Sequence, residues 1–294
     1  MEIRKAELGE LQSLMRKELE DYYPSVELRG IINGLFSHLT GFTTGQMVLE
    51  KERRLTESEI HFLQLCLKRL KNHEPLQYIT GTAYFHGLEF KVSPAVLIPR
   101  PETEELVEWI VQQHGKAGEP LSILDIGTGS GCIAISLKAK IPEAVLFAID
   151  VSEKAMAVAR ENAHELGTEV FFESVDILDA EARSALLKFD LIVSNPPYVT
   201  PADREKMLPN VTDHEPALAL FVEEDPLIFY KEIIAFSEDH LAEGGSLYFE
   251  CNESNATEVA GLLKRACFKH VEVRKDMQDK DRMILGNELL KEFF

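Results

Sequence analysis

The stretch DLIVSNPPYVT runs from three apolar residues, Leu191 to Val193, into Asn195-Pro196-Pro197-Tyr198. A short apolar run reads as a buried strand, so Asn195 stands where that strand ends and its side chain leaves the sheet. Pro196 and Pro197 restrict the backbone to extended geometry and hold the amide still. The amide oxygen of Asn195 and the carbonyl of Pro196 can each accept one hydrogen from a planar NH2 group, and Tyr198 can cover the flat face of that group. An amide or exocyclic amine nitrogen is a poor nucleophile because its lone pair is delocalised. Hydrogen bonds that draw its hydrogens away restore some of that availability in the transition state. The simpler reading is that an Asn-Pro pair only starts a turn.

A second candidate site is ILDIGTGSGCIAISL, which runs from an apolar strand, Ile123 to Ile126, through Gly127, Gly129 and Gly131 into a helical pattern. Glycines there let backbone approach a ligand at a helix N-terminus. A dinucleotide fingerprint would need Gly-x-Gly-x-x-Gly, and the position of its third glycine holds Cys132. Asp125, just before the loop, would oppose a pyrophosphate and suits an ammonium group, which favours the amino-acid-bearing cofactor S-adenosylmethionine. In VLFAIDVS, Asp150 ends the next strand, where it can bind both ribose hydroxyls. In ESVDIL, Asp176 and Ile177 end the one after, near the expected adenine. Open parallel sheets bind ligands beyond the carboxyl ends of their strands, so the three acids argue against a purely structural turn. A sulfonium methyl donor leaves as a neutral thioether, S-adenosylhomocysteine, and asks for no strong base.

These residues require a sheet to align them. Short apolar runs at Ile123 to Ile126, Val145 to Ile149, Val170 to Phe172, Leu191 to Val193 and Leu247 to Phe249 alternate with helical stretches, the pattern of a parallel sheet with helices on both faces. HVEVRKD and RMILG follow with only MQDKD between them, too little for a crossover, so they form an antiparallel pair. From Met1 to about Glu74 the pattern is helical, with Leu8, Leu11, Leu14 and Met15 on one face, and Leu28, Ile31, Ile32, Leu35 and Leu39 on another. Thr56 and Glu59 form a capping box before Ile60, Leu63, Leu67 and Leu70. Pro75 breaks this pattern, and the aromatic and β-branched run from Leu76 to Pro94 suits a hairpin connector. The expected domains are residues 1–75, a helical domain; 76–98, a hairpin linker; and 99–294, the catalytic domain.

The 294 residues carry 50 Asp and Glu against 31 Lys and Arg, a formal charge of -19. Proteins that grip nucleic acid gain most of their affinity by neutralising phosphates, so this composition opposes direct nucleic-acid binding. The four cysteines, Cys66, Cys132, Cys251 and Cys267, are far apart and read as reduced thiols in or near the core. His73-Glu74 and His214-Glu215 lack the second histidine of His-Glu-x-x-His, since Gln77 and Leu218 stand there, so no metal site is expected. No apolar run approaches the length of a membrane helix, and Met1 to Glu7 does not resemble a signal peptide. A cytoplasmic monomer is the expectation.

Taken together, PLQYITGTAYFHGLEFKVSPAVLIPRPETEELVE, DIGTGSGCIAISL, SNPPYV and HEPALALF resemble the protein-(glutamine-N5) methyltransferases that modify peptide-chain release factors, the PrmC/HemK family. Asn-Pro-Pro-Tyr alone is shared with DNA adenine and RNA guanine methyltransferases, whereas LIPRPETEELV is far more specific. The resemblance covers residues 75 to 286 by motif. It implies an α/β fold, a seven-stranded Rossmann-like class I S-adenosylmethionine methyltransferase domain with a small helical N-terminal domain that helps hold the release factor. The implied target is the glutamine of the Gly-Gly-Gln tip in class I release factors. By position, Gly127, Thr128, Gly129, Ser130, Gly131, Asp150 and Ile177 then belong to the cofactor site, with Asp125, Asp176 and Asn195 beside them. Asn195, Pro196, Pro197 and Tyr198 bind the glutamine, with Asn195, Pro196 and Tyr198 acting in catalysis. Pro99 to Thr103 would line the same region, without roles that physics alone assigns. One departure is visible: the family's Glu-x-Gly-x-x-Gln is here Glu250-Cys251-Asn252-Glu253-Ser254-Asn255. Asn can take a left-handed turn as Gly does. A nucleic-acid amino-methyltransferase using the same Asn195 site and an inactive binding module on the same fold are the alternatives.

Overall fold

The computed structural model describes residues 7–115, 120–200, 204, 207–223 and 225–290. Met1 to Ala6, read above as no signal peptide, lie outside the described residues. The chain divides into two compact units, one of residues up to 81 with 208–214, the other of 82–207 with 215 onward.

In the first unit, helices α1 (Leu8–Leu19), α2 (Ser25–Thr40), α3 (Thr44–Leu49), α4 (Glu57–Leu70) and α5 (Leu76–Thr80) pack around one core. The apolar spacing explains which faces turn inward: Leu8, Leu11, Met15 and Leu19 from α1; Leu28, Ile32, Leu35 and Phe36 from α2; Ile60, Leu63 and Leu70 from α4. The Thr56 capping box forms as its spacing requires. The Thr56 amide donates to Glu59 Oε2 at 2.7 Å and the Glu59 amide to Thr56 Oγ1 at 3.3 Å. A turn of helix at Pro209–Thr212 belongs to the same unit, and the His214 ring meets the Asn72 carbonyl at 2.9 Å.

The second unit opens with a hairpin, β1 (Thr82–Phe85) and β2 (Leu88–Lys91), whose two-residue turn places His86 at φ 48° and Gly87 at φ 80°. Positive φ at both central residues gives the turn the twist of its strands. There follow α6 (Pro101–His114), β3 (Ser122–Ile126), α7 (Cys132–Lys140), β4 (Val145–Asp150), α8 (Glu153–Glu165), β5 (Val170–Ser174), β6 (Phe189–Ser194), α9 (Ile228–His240), β7 (Leu241–Glu250), α10 (Ala256–Arg265), β8 (Phe268–Lys275) and β9 (Asp281–Leu289). The sheet order is β5-β4-β3-β6-β7-β9-β8; the first five strands are parallel and β9 runs against both neighbours. The inner strands β3 and β6 are buried along almost their whole length because both of their faces are covered. Ile123, Leu146, Leu191, Val193 and Tyr248 enter a core with α6 and α7, while Leu124, Ile149, Ile192, Leu247 and Phe249 enter another with α9 and α10. The four cysteines are free, and three fit the expected core or near-core thiols. Cys267 does not: it is exposed at φ 65°, where the chain swings from α10 into β8.

Two polar groups shape the turn from β3 into α7. The carboxyl of Asp125 is fully buried; its Oδ2 accepts from the Thr128 hydroxyl at 2.6 Å and the Ala134 amide at 3.3 Å, and its Oδ1 has no partner. Burial pushes this carboxyl up to about 7, against those two hydrogen bonds, and the charge of Asp150 adds to the rise. Asn162 of α8 also has a buried side chain. It accepts from the Lys91 amide at 2.7 Å and donates to the Lys91 carbonyl at 3.0 Å and to the Ser130 carbonyl at 2.9 Å. One side chain thus ties the hairpin to the glycine loop. Gly131 must stay small, because a Cβ there would lie 2.8 Å from Ile135 and 3.3 Å from Ala159, at φ +81°.

Asn162→Ala should destabilise the second unit by about 2–4 kcal/mol in urea unfolding, because it strands buried backbone groups on two segments; a loss under about 1 kcal/mol would mean that water replaces the amide. For Asp125 the folded-state pKa is raised, so its contribution to stability is complete below the unfolded value and disappears as pH rises through about 7. Asparagine cannot titrate. The stability of Asp125→Asn relative to wild type should therefore rise at about 1.4 kcal/mol per unit from roughly pH 5.5 to 7, by about 2 kcal/mol in all, and stay level up to roughly pH 8.5. Parallel stability curves across that range would show that Asp125 titrates in its ordinary range.

Candidate active site

The chain reverses direction across the sheet between β3 and β6, and a crevice of about 860 Å³, counted to its open mouth, lies beyond the ends of these strands. Such a switch point is where open α/β sheets bind ligands. Its lining includes Gly127, Gly129, Asp150, Asp176, Ile177, Asn195, Pro196 and Pro197. The sequence-predicted residues at three strand ends and the Asn-Pro-Pro segment therefore do meet. The amides of Gly127 and Thr128 donate to the Ile149 carbonyl at 2.9 and 3.0 Å, which anchors the loop to β4. Gly127 and Gly129 have φ of +74° and +57°, and an added Cβ at either would meet nothing within 4 Å. Their backbone is bare towards open space, as a cradle for a ligand requires.

Asp150 accepts from the Gly129 amide at 2.9 Å on one oxygen and from the Ser152 amide at 2.8 Å on the other. Burial raises its pKa, with these amides pulling the other way. Each oxygen keeps a lone pair for a ligand hydroxyl. Asp176 turns one oxygen to the Leu178 amide at 2.9 Å. Five predicted residues stand off the lining. Asp125 is the buried strut described above, with one oxygen still free of partners; Thr128, Ser130 and Gly131 form the back of the loop. Tyr198 packs on the α9 and α10 core, its hydroxyl pushed up to about 12 by burial and then by Glu250.

Asn195 is held from behind. Its Nδ2 donates to Thr103 Oγ1 at 3.2 Å, and the Thr103 hydroxyl donates to Glu250 Oε2 at 2.6 Å. Thr103 sits in the first turn of α6 and Glu250 ends β7, and each is only 3% exposed. Burial pushes the Glu250 carboxyl up to about 7, against the Thr103 hydroxyl and the charge of Arg282. The end of β6 is also fixed: the Ser194 hydroxyl donates to the Ile126 carbonyl at 2.8 Å, and Val199 pairs with the segment at Phe221.

Ala95, Val96 and Leu97 line the crevice with Pro216, Leu218 and Ala219. An ion pair joins these two segments: Arg100 donates to Glu215 Oε1 at 2.6 Å, the Ile98 amide reaches Oε2 at 3.4 Å, and the Glu215 side chain is only 1% exposed. Charge-assisted contacts of this kind are strong. Sequence patterning shows LIPR and HEPAL only as resemblance, because no periodicity announces a pairing across 115 residues. For the same reason Thr103 is brought near the site only by the resemblance of Pro99 to Thr103, with no role assigned, and Glu250 has no functional signal in the sequence. The left-handed turn that asparagine can take does not form at Asn252. Neither Asn252 nor Asn255 has positive φ; Asn252 Oδ1 instead accepts from the Ser254 amide at 3.0 Å, an Asx turn that needs no αL residue.

Two family models match: the methyltransferase small domain over residues 103–212 and the PrmC N-terminal domain over residues 10–81. A release factor glutamine methyltransferase of Bacteroides thetaiotaomicron is 40% identical over 95% of this chain and 100% of its own length. One of Flavobacterium psychrophilum is 45% identical over 82% of this chain and 85% of its own. The fold is also that of a Pyrococcus furiosus methyltransferase, with TM-score 0.52 at 16% identity over 77% of this chain and 99% of that one. The methyltransferase sheet, the glycine crevice and relatives matched along nearly their whole length agree: the chain belongs to the release factor glutamine methyltransferase family.

Proposed function

We propose that the chain transfers a methyl group from S-adenosylmethionine to the N5 nitrogen of the glutamine in the Gly-Gly-Gln tip of class I peptide-chain release factors. The observation that carries this reading is the state of Asn195: its NH2 is tied inward to Thr103, while its position on the crevice lining leaves an acceptor oxygen for an incoming NH2 group. The crevice suits the cofactor in its bare glycine backbone and in the acids on its lining, Asp150 and Asp176, which offer acceptors to a ligand. When bound, S-adenosylmethionine would supply an activated methyl group: the N–C bond would form as the S–C bond breaks, the carrier leaving as a neutral thioether and one amide proton passing to water.

The chain's own residues then have distinct tasks. Gly127 and Gly129 admit the ligand against backbone, Asp150 accepts from its ribose hydroxyls, and Asp176 and Ile177 lie at its adenine. Asp125, Thr128, Ser130 and Gly131 hold the loop that does so. Asn195 Oδ1 and the Pro196 carbonyl accept the two hydrogens of the glutamine amide, with Pro197 and Tyr198 stiffening the segment. This draws electron density onto a nitrogen that is otherwise weakly nucleophilic, and fixes its distance and angle to the reacting carbon.

The same reading assigns residues 1–75 to release-factor binding, 76–98 to the hairpin linker and 99–294 to catalysis; the first residues of that linker, Leu76–Thr80, are helix α5 and pack with the helical unit, and the hairpin itself is Thr82 to Lys91. It has the enzyme act as a monomer in the cytoplasm. No described helix is long and apolar enough to cross a membrane, and the charge of -19 opposes a direct hold on nucleic acid.

Purified protein, labelled cofactor and a release factor should give one added methyl on the Gly-Gly-Gln peptide by mass spectrometry, and none on DNA or rRNA. Labelling of nucleic acid alone would overturn the reading. Asn195→Ala should lower kcat roughly 100-fold or more while cofactor binding by calorimetry persists; unchanged turnover would remove Asn195 from the mechanism.

A further inference from the structure

We propose that Thr103 and Glu250 are positioning residues that lock the Asn195 amide in one of its two flip states, so that its oxygen and not its NH2 faces the substrate. The inference rests on the glutamine-methylation reading and deepens it. A threonine hydroxyl has one hydrogen, and here that hydrogen is committed to Glu250 Oε2 at 2.6 Å. While Glu250 is a carboxylate, Thr103 Oγ1 can therefore only accept from Asn195; the group it meets at 3.2 Å is Nδ2, and the Asn195 amide hydrogen-bonds Glu250 as well. In the flipped amide, Oδ1 would face a hydroxyl with no hydrogen left to give, beside a buried carboxyl. Two acceptors would then oppose each other where burial leaves little water to separate them.

The lock is built from parts distant in sequence. Thr103 lies 92 residues from Asn195 and 147 from Glu250. It sits in the first turn of α6, which Pro101 opens at the N-terminal end. Glu250 is the last residue of β7, the strand that pairs with β6 up to Ser194 and Phe249. The sheet therefore sets the carboxyl beside the residue that follows β6. The consequence is selectivity. A site that presents two acceptors takes an NH2 group and rejects a carboxylate or ester of the same shape, because those offer no hydrogens and leave the acceptors unpaired.

The test separates the lock from the reaction it serves. Thr103→Val keeps the shape and removes the acceptor. Glu250→Gln keeps the shape and adds an NH2 that can donate to Thr103, which frees the threonine hydrogen for Asn195 Oδ1 and admits the flipped state. On a Gly-Gly-Gln peptide each should lower kcat about 10- to 100-fold. The affinity for S-adenosylhomocysteine in calorimetry should stay within about twofold and Thr103→Ser should recover most of the rate. The double variant should be no worse than the poorer single. In the free, 15N-labelled protein, the Asn195 side-chain amide hydrogens, assigned by their loss in Asn195→Asp, should exchange with water at least roughly tenfold faster in Thr103→Val than in wild type. Equal exchange, or full kcat in both single variants, would overturn the proposal. Slow exchange in wild type without methyl transfer to any glutamine peptide would support the lock and overturn the glutamine reading instead.

Discussion

The crevice depends first on strands β3 and β6 ending level. They pair in parallel from Ile123 and Leu191 to Ile126 and Ser194, and the Ser194 hydroxyl closes the last rung onto the Ile126 carbonyl at 2.8 Å. The residue after each strand then leaves the sheet at the same height, Gly127 on one side and Asn195 on the other. A slip of one position would turn alternate side chains to the wrong face, and the two cores leave no room for that. Leu191 and Val193 belong to one core and Ile192 to the other. The packing of large apolar side chains on both faces thus sets the alignment of a few polar atoms beyond the strand ends.

Those polar atoms are held at a cost in stability. Asp125 and Glu250 are carboxyls with almost no exposure, both pushed up to about 7 chiefly by burial. Taking a carboxylate out of water is unfavourable unless hydrogen bonds repay it, and each has few: Asp125 accepts on one oxygen only, leaving the other unpaired. An apolar residue at either place would pack with less penalty. Both instead brace a segment that reaches the crevice, Asp125 the glycine loop and Glu250 the threonine behind Asn195. Buried groups whose pKa values are displaced in this way concentrate where a protein binds or reacts.

The fold was legible because its signals are local and repeated. Apolar strands alternate with helical runs, glycines mark the turn after β3, and the five residues between β8 and β9 exclude a crossover. The residues lining the crevice at Gly127, Gly129, Asp150, Asp176 and Asn195 were legible for a related reason: each directly follows a readable strand or lies in its turn. Glu215 shows what was not. Beside His214 it looks like half of a metal motif, yet it is the buried partner of Arg100, 115 residues away in the chain. Nothing in the neighbourhood of a glutamate shows which arginine it will meet. Thr103 reads equally well as an ordinary member of a helix's first turn, and Asp125 reads as a ligand group although it supports the loop from behind. Periodicity identifies faces of elements; long-range polar partners exist only once the elements have packed.

Asn252 carries this distinction one step further. Where the family pattern has glycine, the natural expectation is a residue that must adopt positive φ, with asparagine as its nearest substitute. The chain solves the turn differently: the Asn252 side chain accepts from the amide and hydroxyl of Ser254, and the backbone stays out of the left-handed region. Glu250 keeps its place because β7 is fixed by β6 on one side and β9 on the other, through Ser194–Phe249 and Met283–Glu250 pairing. The departure therefore alters how the chain leaves the strand and leaves intact the carboxyl that ends it. A motif position can change its chemistry freely when the sheet, and not the loop, places the group that matters.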